Sequence, residues 1–283
     1  MNESLRRVDA HQHFWRYVLG EFDWMGANMA ELRRDFLPPE LRLLLDREKI
    51  GGTVAVQSRA SEADTDFLLE LAAAHPWILG VVGWIDLRAA DLEAALERRD
   101  GERALKGYRH QVEDEPSPAA FLEDGPFNRG VDAVLRRGKV YDLLVRAHDL
   151  DTAARFCARH DTGWIVLDHF GKPDVRGESV QAWAARLRPF RDMSHVACKV
   201  SGLITEAPWR AWRAEALTPY FAAALDCFGP ERLLFGSDWP VCRLSGDYAQ
   251  VCALARAATA SLSGPERDAV WGETARRVYG LDR

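Results

Sequence analysis

The sequence predicts an α/β protein, a single (β/α)8 TIM-type barrel spanning residues 1–283, with a loop over its C-terminal mouth. Three observations carry that reading. Short β-branched apolar runs recur about every 30 residues, segments of helical period separate them, and no Gly-rich phosphate loop follows the first run. A doubly wound open sheet would place such a loop there, and HQHFW stands in its place.

The eight candidate strands are residues 5–10, 53–57, 78–84, 105–109, 140–145, 164–167, 196–200 and 233–235. Between the second and third, EADTDFLLELAAAH sets Phe67, Leu68, Leu71 and Ala72 on one helix face. AADLEAALERR, LDTAARFCARH and VQAWAARLRPF fill later intervals. YAQVCALARAATASL and PERDAVWGETARRVYG follow the eighth strand, with Pro265 suited to a first helical turn. Residues 15–38, with Trp24, lack regular period and read as the loop across the mouth.

Composition narrows the partners. A net charge of −6 gives no basic footprint for nucleic acid. No apolar run approaches the roughly 18 residues that a membrane helix needs, and the N-terminus has no secretion-signal core, so a cytoplasmic protein is expected. Five widely spaced cysteines form no C-x-x-C pair and read as structural.

Catalytic groups of a barrel gather at the C-terminal ends of its strands. His11 and His13 end the first strand, and on a regular extended chain Asp9 would share their face. Gln57-Ser58-Arg59 ends the second, Trp84 the third, and Arg109-His110 the fourth. Asp168-His169 ends the sixth, Lys199 and Ser201 lie on and after the seventh, and Ser237-Asp238-Trp239 follows the eighth. The fifth, VYDLLV, reads as apolar through Val145. Polar chemistry at seven of eight rims points to a site. His75, His148, His160 and His195 fall in helices or connections and read as structural.

In order and spacing, DAHQHFW, GYRHQVEDE, LDHFGKP, CKVSGL and FGSDWPV resemble the sugar-lactonase branch of the amidohydrolase superfamily, nearest its L-fuconolactonases, from Val8 to about Gly272. The resemblance implies hydrolysis of a sugar-acid lactone, L-fuconolactone to L-fuconate. Two-metal members of the superfamily add a lysine or glutamate on strand 4 and a histidine after strand 5. This chain has Arg109 and no histidine at those places, so a two-metal centre is not expected. A single zinc on His11, His13, His169 and Asp238 stays open, as an optional rather than required cofactor. A guanidinium disfavours a nearby divalent cation and can itself polarise a carbonyl.

The implied mechanism has Asp238 as general base on water, its pKa raised by burial beside Trp239. His11, His13, Arg109 and His169 would polarise the carbonyl. His110, Gln57, Trp84, Trp24, Lys199 and Trp239 are candidates for binding the sugar. Asp168 would orient its loop or His169. Lys199 has an equal alternative as a core lysine paired with an acid. Gly202 and Gly236 would let the chain turn. A metal-dependent hydrolase or decarboxylase acting on another lactone, an amide or an aromatic acid is the alternative. A non-catalytic carbohydrate-binding barrel is a third and more distant one.

Overall fold

The computed structural model describes residues 6–281. In chain order it contains β1 (Val8–Gln12), α1 (Pro38–Glu48), β2 (Gly52–Val56), α2 (Glu62–Ala74), β3 (Ile78–Gly83), α3 (Leu92–Glu97) and β4 (Leu105–His110). There follow α4 (Pro118–Leu122), α5 (Gly125–Arg136), β5 (Val140–Leu143), α6 (Leu150–Arg159), β6 (Ile165–Leu167), α7 (Val180–Leu187) and β7 (Val196–Val200). The last are α8 (Leu203–Glu206), α9 (Ala214–Phe228), β8 (Leu233–Phe235), α10 (Tyr248–Ala258), α11 (Gly264–Asp268) and α12 (Thr274–Tyr279).

All eight expected strands are present, in parallel and in sequence order. The first begins at Val8, and Leu5 lies outside the described residues. A parallel bridge between Gln12 and Trp239 nearly closes the barrel. There His13 N–H donates to Trp239 O at 2.7 Å and Asp238 N–H donates to His11 O at 2.8 Å. Closure therefore brings the two polar rims, HQH and SDW, side by side. The segment expected as one helix over residues 265–280 is three pieces, because a π turn at Ala269–Glu273 separates α11 from α12.

Side-chain parity decides what reaches the centre. Ala10, Val54, Val56, Val82, Val140, Val166, Ala197 and Leu234 pack into one inner cluster, with Val278 and Tyr279 of α12 at its edge. A second cluster, between strands and helices, holds their neighbours, such as Tyr108, Tyr141, Leu167 and Cys198. Period two then carries the inward face from Val140 to Asp142, from Val166 to Asp168 and from Ala197 to Lys199. Strand 5 is thus not apolar throughout: it sends a fully buried carboxylate inward.

Strand β1 departs from regular alternation. Asp9 pairs with Thr53 and Gln12 with Ala55, so β1 carries one residue more than β2 over that interval. The bulge separates Asp9 from His11. Asp9 accepts from Tyr248 Oη of α10 at 3.0 Å and from Ser237 N–H at 2.8 Å, while His11 turns towards Lys199 and Arg109. The shared face expected for Asp9, His11 and His13 is therefore not formed.

Residues 15–38 cross the mouth as an ordered flap. Trp15 and Phe36 exchange backbone hydrogen bonds at 3.1 and 3.0 Å. Trp15 packs edge-on against Phe36 and Trp24, and Trp24 Nε1 donates to Ser58 O at 2.9 Å.

Candidate active site

Under the flap lies a cavity of about 280 Å³. His13, Arg109, His169 and Asp238 line it together with Trp24 and Met29 of the flap. Its floor is a buried ionic cluster built by the inward parity of β4 to β7. Arg109 Nη1 donates to Asp168 Oδ2 at 3.0 Å, and Nη2 donates to Gln57 O at 2.7 Å. Lys199 Nζ donates to Asp142 Oδ2 and lies 3.1 Å from Asp168 Oδ1. Tyr279 of α12 completes the shell of Asp142 from below, donating at 2.8 Å. Two cations therefore face two carboxylates, and the floor is neutral.

The histidines hang on this floor. Lys199 Nζ lies 3.1 Å from His11 Nδ1, and Arg109 Nη1 lies 3.3 Å from His11 Nε2, so a cation stands at each ring nitrogen. His11 Nε2 also lies 3.2 Å from His13 Nε2, and His13 Nδ1 donates to Val56 O at 2.8 Å. Lys199, His11 and His13 thus form a contiguous polar row leading to the cavity. His169 Nδ1 is 2.8 Å from Ser201 Oγ. Asp238 Oδ1 sits 3.4 Å from His13 Nε2 and 3.9 Å from both His11 Nε2 and His169 Nε2.

The electrostatics follow from burial and charge. Burial, helped by the Lys199 ammonium, keeps His11 far below the usual histidine range, and burial lowers His169 to about 4. Both rings are neutral at physiological pH. Burial also pushes Asp168 upward, but Lys199, His11 and Arg109 outweigh it and hold that carboxyl well below its ordinary range. Asp142 goes the other way: burial raises it to about 6 against the pull of Lys199. For Asp238, burial raises the pKa, yet His169 and His13 reverse the outcome and the carboxyl ends below its usual value. The expected upward shift of Asp238 is overturned, because His169, His13 and Lys172 together outweigh burial.

The candidates divide cleanly by place. His13, Arg109, His169, Asp238 and Trp24 line the cavity, and His11 lies directly behind His13. Lys199 is fully buried beneath the floor, paired with an acid. Asp168 serves Arg109 and Lys199 rather than its own loop. Gln57 is buried behind Arg109, donating to its carbonyl at 3.3 Å. Trp239 packs against Phe14 and Phe36 in the outer core. His110 faces outward from β4, stacked on Phe121, and Trp84 Nε1 lies 3.3 Å from its Nδ1; neither lines the cavity. The two glycines do more than turn the chain. A Cβ at Gly236 would meet His11 Cβ at 2.7 Å, and one at Gly202 would meet His169 Nδ1 at 2.6 Å.

Sequence reasoning missed a second polar group on the cavity wall. Glu113, Arg146, Lys172 and Glu206 come from the segments that follow β4, β5, β6 and β7, Glu206 being the last residue of α8, and Lys172 Nζ donates to Glu113 Oε1 at 2.5 Å. The available signal was charge in the segments that follow barrel strands, two or more residues beyond the rims themselves.

His11, His169 and Asp238 each offer a ligand atom within 4.8 Å of the others, a spacing at which one metal ion can be held. Among the described residues no helix is long and apolar enough to cross a membrane.

The chain is 47% identical to an L-fucono-1,5-lactonase of Burkholderia multivorans (strain ATCC 17616 / 249), over 97% of this chain and 96% of that protein. It is 34% identical to an L-fucono-1,5-lactonase of Burkholderia ambifaria, over 98% and 96%. Crystal structures of an amidohydrolase from Burkholderia multivorans, one with bound HEPES and one with bound zinc, superpose with a TM-score of 0.94 at 45% identity, covering 97% of this chain and 99% of that one. The amidohydrolase family profile matches residues 8–281, and with eight parallel strands carrying H-x-H, Asp-His and Ser-Asp at their rims, the chain belongs to the amidohydrolase family.

Proposed function

We propose that the cavity hydrolyses the lactone of a sugar acid, with L-fucono-1,5-lactone the substrate and L-fuconate the product. The observation that carries the reading is the convergence on one cavity of an ionised carboxylate, Asp238, and fixed donors, Arg109 and His169. The two Burkholderia relatives supply the sugar.

Asp238 takes a proton from water as the oxygen attacks the lactone carbonyl carbon. Arg109 and His169 hold the oxyanion that forms, and preorganised donors of this kind are worth about 3–4 kcal/mol each in a dry site. Arg109 is suited to the task because Asp168 and Gln57 already fix its guanidinium, while its buried Nε has no partner. His13 stands beside Asp238 on the cavity wall, with His11 and Lys199 behind it, and helps to orient that carboxylate. When the tetrahedral intermediate collapses, the bond from carbonyl carbon to ring oxygen breaks. The proton held by Asp238 passes to that oxygen, which leaves as a hydroxyl. A carboxylate of low pKa is a weak base, so most of the barrier reduction falls on the donors.

A zinc ion fits the spacing of His11, His169 and Asp238. Bound there, zinc would polarise a carbonyl as a Lewis acid. That fit favours the second reading, a zinc-dependent hydrolase. Against it stands Arg109 Nη1, 3.3 Å from His11 Nε2, which already places a positive charge at the point the metal would take. We therefore assign catalysis to the protein's own groups.

The test is acid release from L-fucono-1,5-lactone, above the spontaneous rate, by protein stripped with a chelator and then given zinc. Full turnover by the stripped protein is expected. Turnover only after zinc returns would transfer the work to the metal, and silence in both states would reject the lactone.

A further inference from the structure

We infer that Lys172 and Glu113 form the donor–acceptor pair that reads the substrate's ring hydroxyls, an assignment that rests on the lactonase reading above. Both side chains line the same cavity as Asp238 and are more than four-fifths buried. Glu113 Oε1 accepts from Lys172, whereas Glu113 Oε2 is buried without a hydrogen-bond partner, with Arg146 Nη2 3.6 Å away. Lys172 has three N–H groups and spends one on Glu113; Glu206 lies 3.9 Å away, beyond hydrogen-bond reach. The wall thus sets Glu113 Oε2, buried and without a partner, beside the unspent N–H groups of Lys172, and their ion pair fixes the spacing. A neutral polyol matches that pattern, since each hydroxyl both donates and accepts. A substrate bearing a second carboxylate does not, because Glu113 would face it.

The backbone points the same way. His169, Phe170, Gly171 and Lys172 have φ of 54°, 58°, 68° and 45°, four successive residues in the left-handed region. Non-glycine residues enter that region at a cost, and such strain collects at functional sites. This one strained turn carries both His169, at the carbonyl, and Lys172, at the hydroxyls, and so sets the distance between the two. Lys172 O further accepts from Ala147 N–H at 3.2 Å, and Glu113 N–H donates to Leu144 O at 3.2 Å, tying both residues to the loop after β5.

The experiment compares kcat/KM for L-fucono-1,5-lactone and for δ-valerolactone, which has the ring and carbonyl but no hydroxyl. In Glu113→Gln and in Lys172→Met the ratio of the two is expected to fall at least about tenfold, chiefly through KM for the sugar lactone, because a polar site left unpaired discriminates strongly. Calorimetric binding of L-fuconate reads the same pair without turnover and is expected to weaken by a similar factor; Lys172→Arg, which keeps charge and donors, is expected to recover part of the ratio. An unchanged ratio with unchanged L-fuconate binding would overturn the assignment. Wild-type protein that turns over δ-valerolactone but not the sugar lactone would also overturn it, whereas wild-type protein that turns over neither would overturn the lactonase reading itself.

Discussion

Lys199→Met tests whether the floor of the site is held by charge balance. Lys199 is fully buried, and its ammonium serves Asp142, Asp168 and His11 together. Methionine keeps the length of the stem and removes the charge. Arg109 would then face two buried carboxylates alone, and stranding one charge of a buried pair costs about 3–5 kcal/mol. At about 2–3 °C per kcal/mol for a domain of this size, calorimetry at pH 8 should record a loss of about 6–15 °C. The deficit must also depend on pH. Asp142, already raised to about 6 in the parent, rises further in the variant, and a raised carboxyl destabilises the fold increasingly as pH climbs from its unfolded value to its folded one. Between pH 6 and the variant's higher pKa, parent and variant diverge by about 1.4 kcal/mol per unit, so moving from pH 8 to 6 should recover about 2–3 kcal/mol. Adding Asp142→Asn removes the surplus charge and should recover at least half of the loss at pH 8. An equal deficit at both pH values, or none at pH 8, would refute the charge-balance account.

Two further outcomes follow from the site. With Asp238 held below the ordinary carboxylate range and His169 lowered to about 4, both groups are in their working forms above about pH 5. The profile of kcat/KM should therefore be flat from pH 8 to 5 and fall below that; a limb near 6.5 would contradict it, and Asp238→Asn should lower kcat by about 10²–10⁴. By linkage His169, neutral when folded, should withdraw stability as pH falls from 6.5 towards 4. Gly202→Ala sets a methyl against His169 Nδ1 in a backbone of φ +67°, and should cut kcat at least about tenfold while the strain itself costs only about 1–2 kcal/mol of stability. Unaltered kcat would show that His169 tolerates displacement.

The barrel and one pole of its cavity were legible because parallel strands expose their C-terminal ends by rule, so His11, Arg109, His169 and Asp238 could be placed from local order alone. What escaped had non-local causes. Asp142 reads as a lapse in an apolar strand until Lys199, 57 positions later, supplies its counter-charge. Parity, applied strictly, would have separated Arg109 from His110, since neighbours on β4 cannot both face the centre; His110 went to Phe121 and the helix layer. The bulge in β1 broke that same rule for Asp9 and His11, and no periodicity in one strand reveals a residue inserted relative to its neighbour. The sign of the Asp238 shift shows the deeper limit. Burial alone, which a sequence can suggest, would have raised it, and the lowering comes chiefly from imidazoles just after β1 and β6 that only the closed barrel brings to within 4 Å. Acidity at this site is thus a property of the closure between Gln12 and Trp239 rather than of any one motif. The motif Ser-Asp-Trp can therefore locate the carboxylate, but its strength as a base is set by the histidines gathered around it.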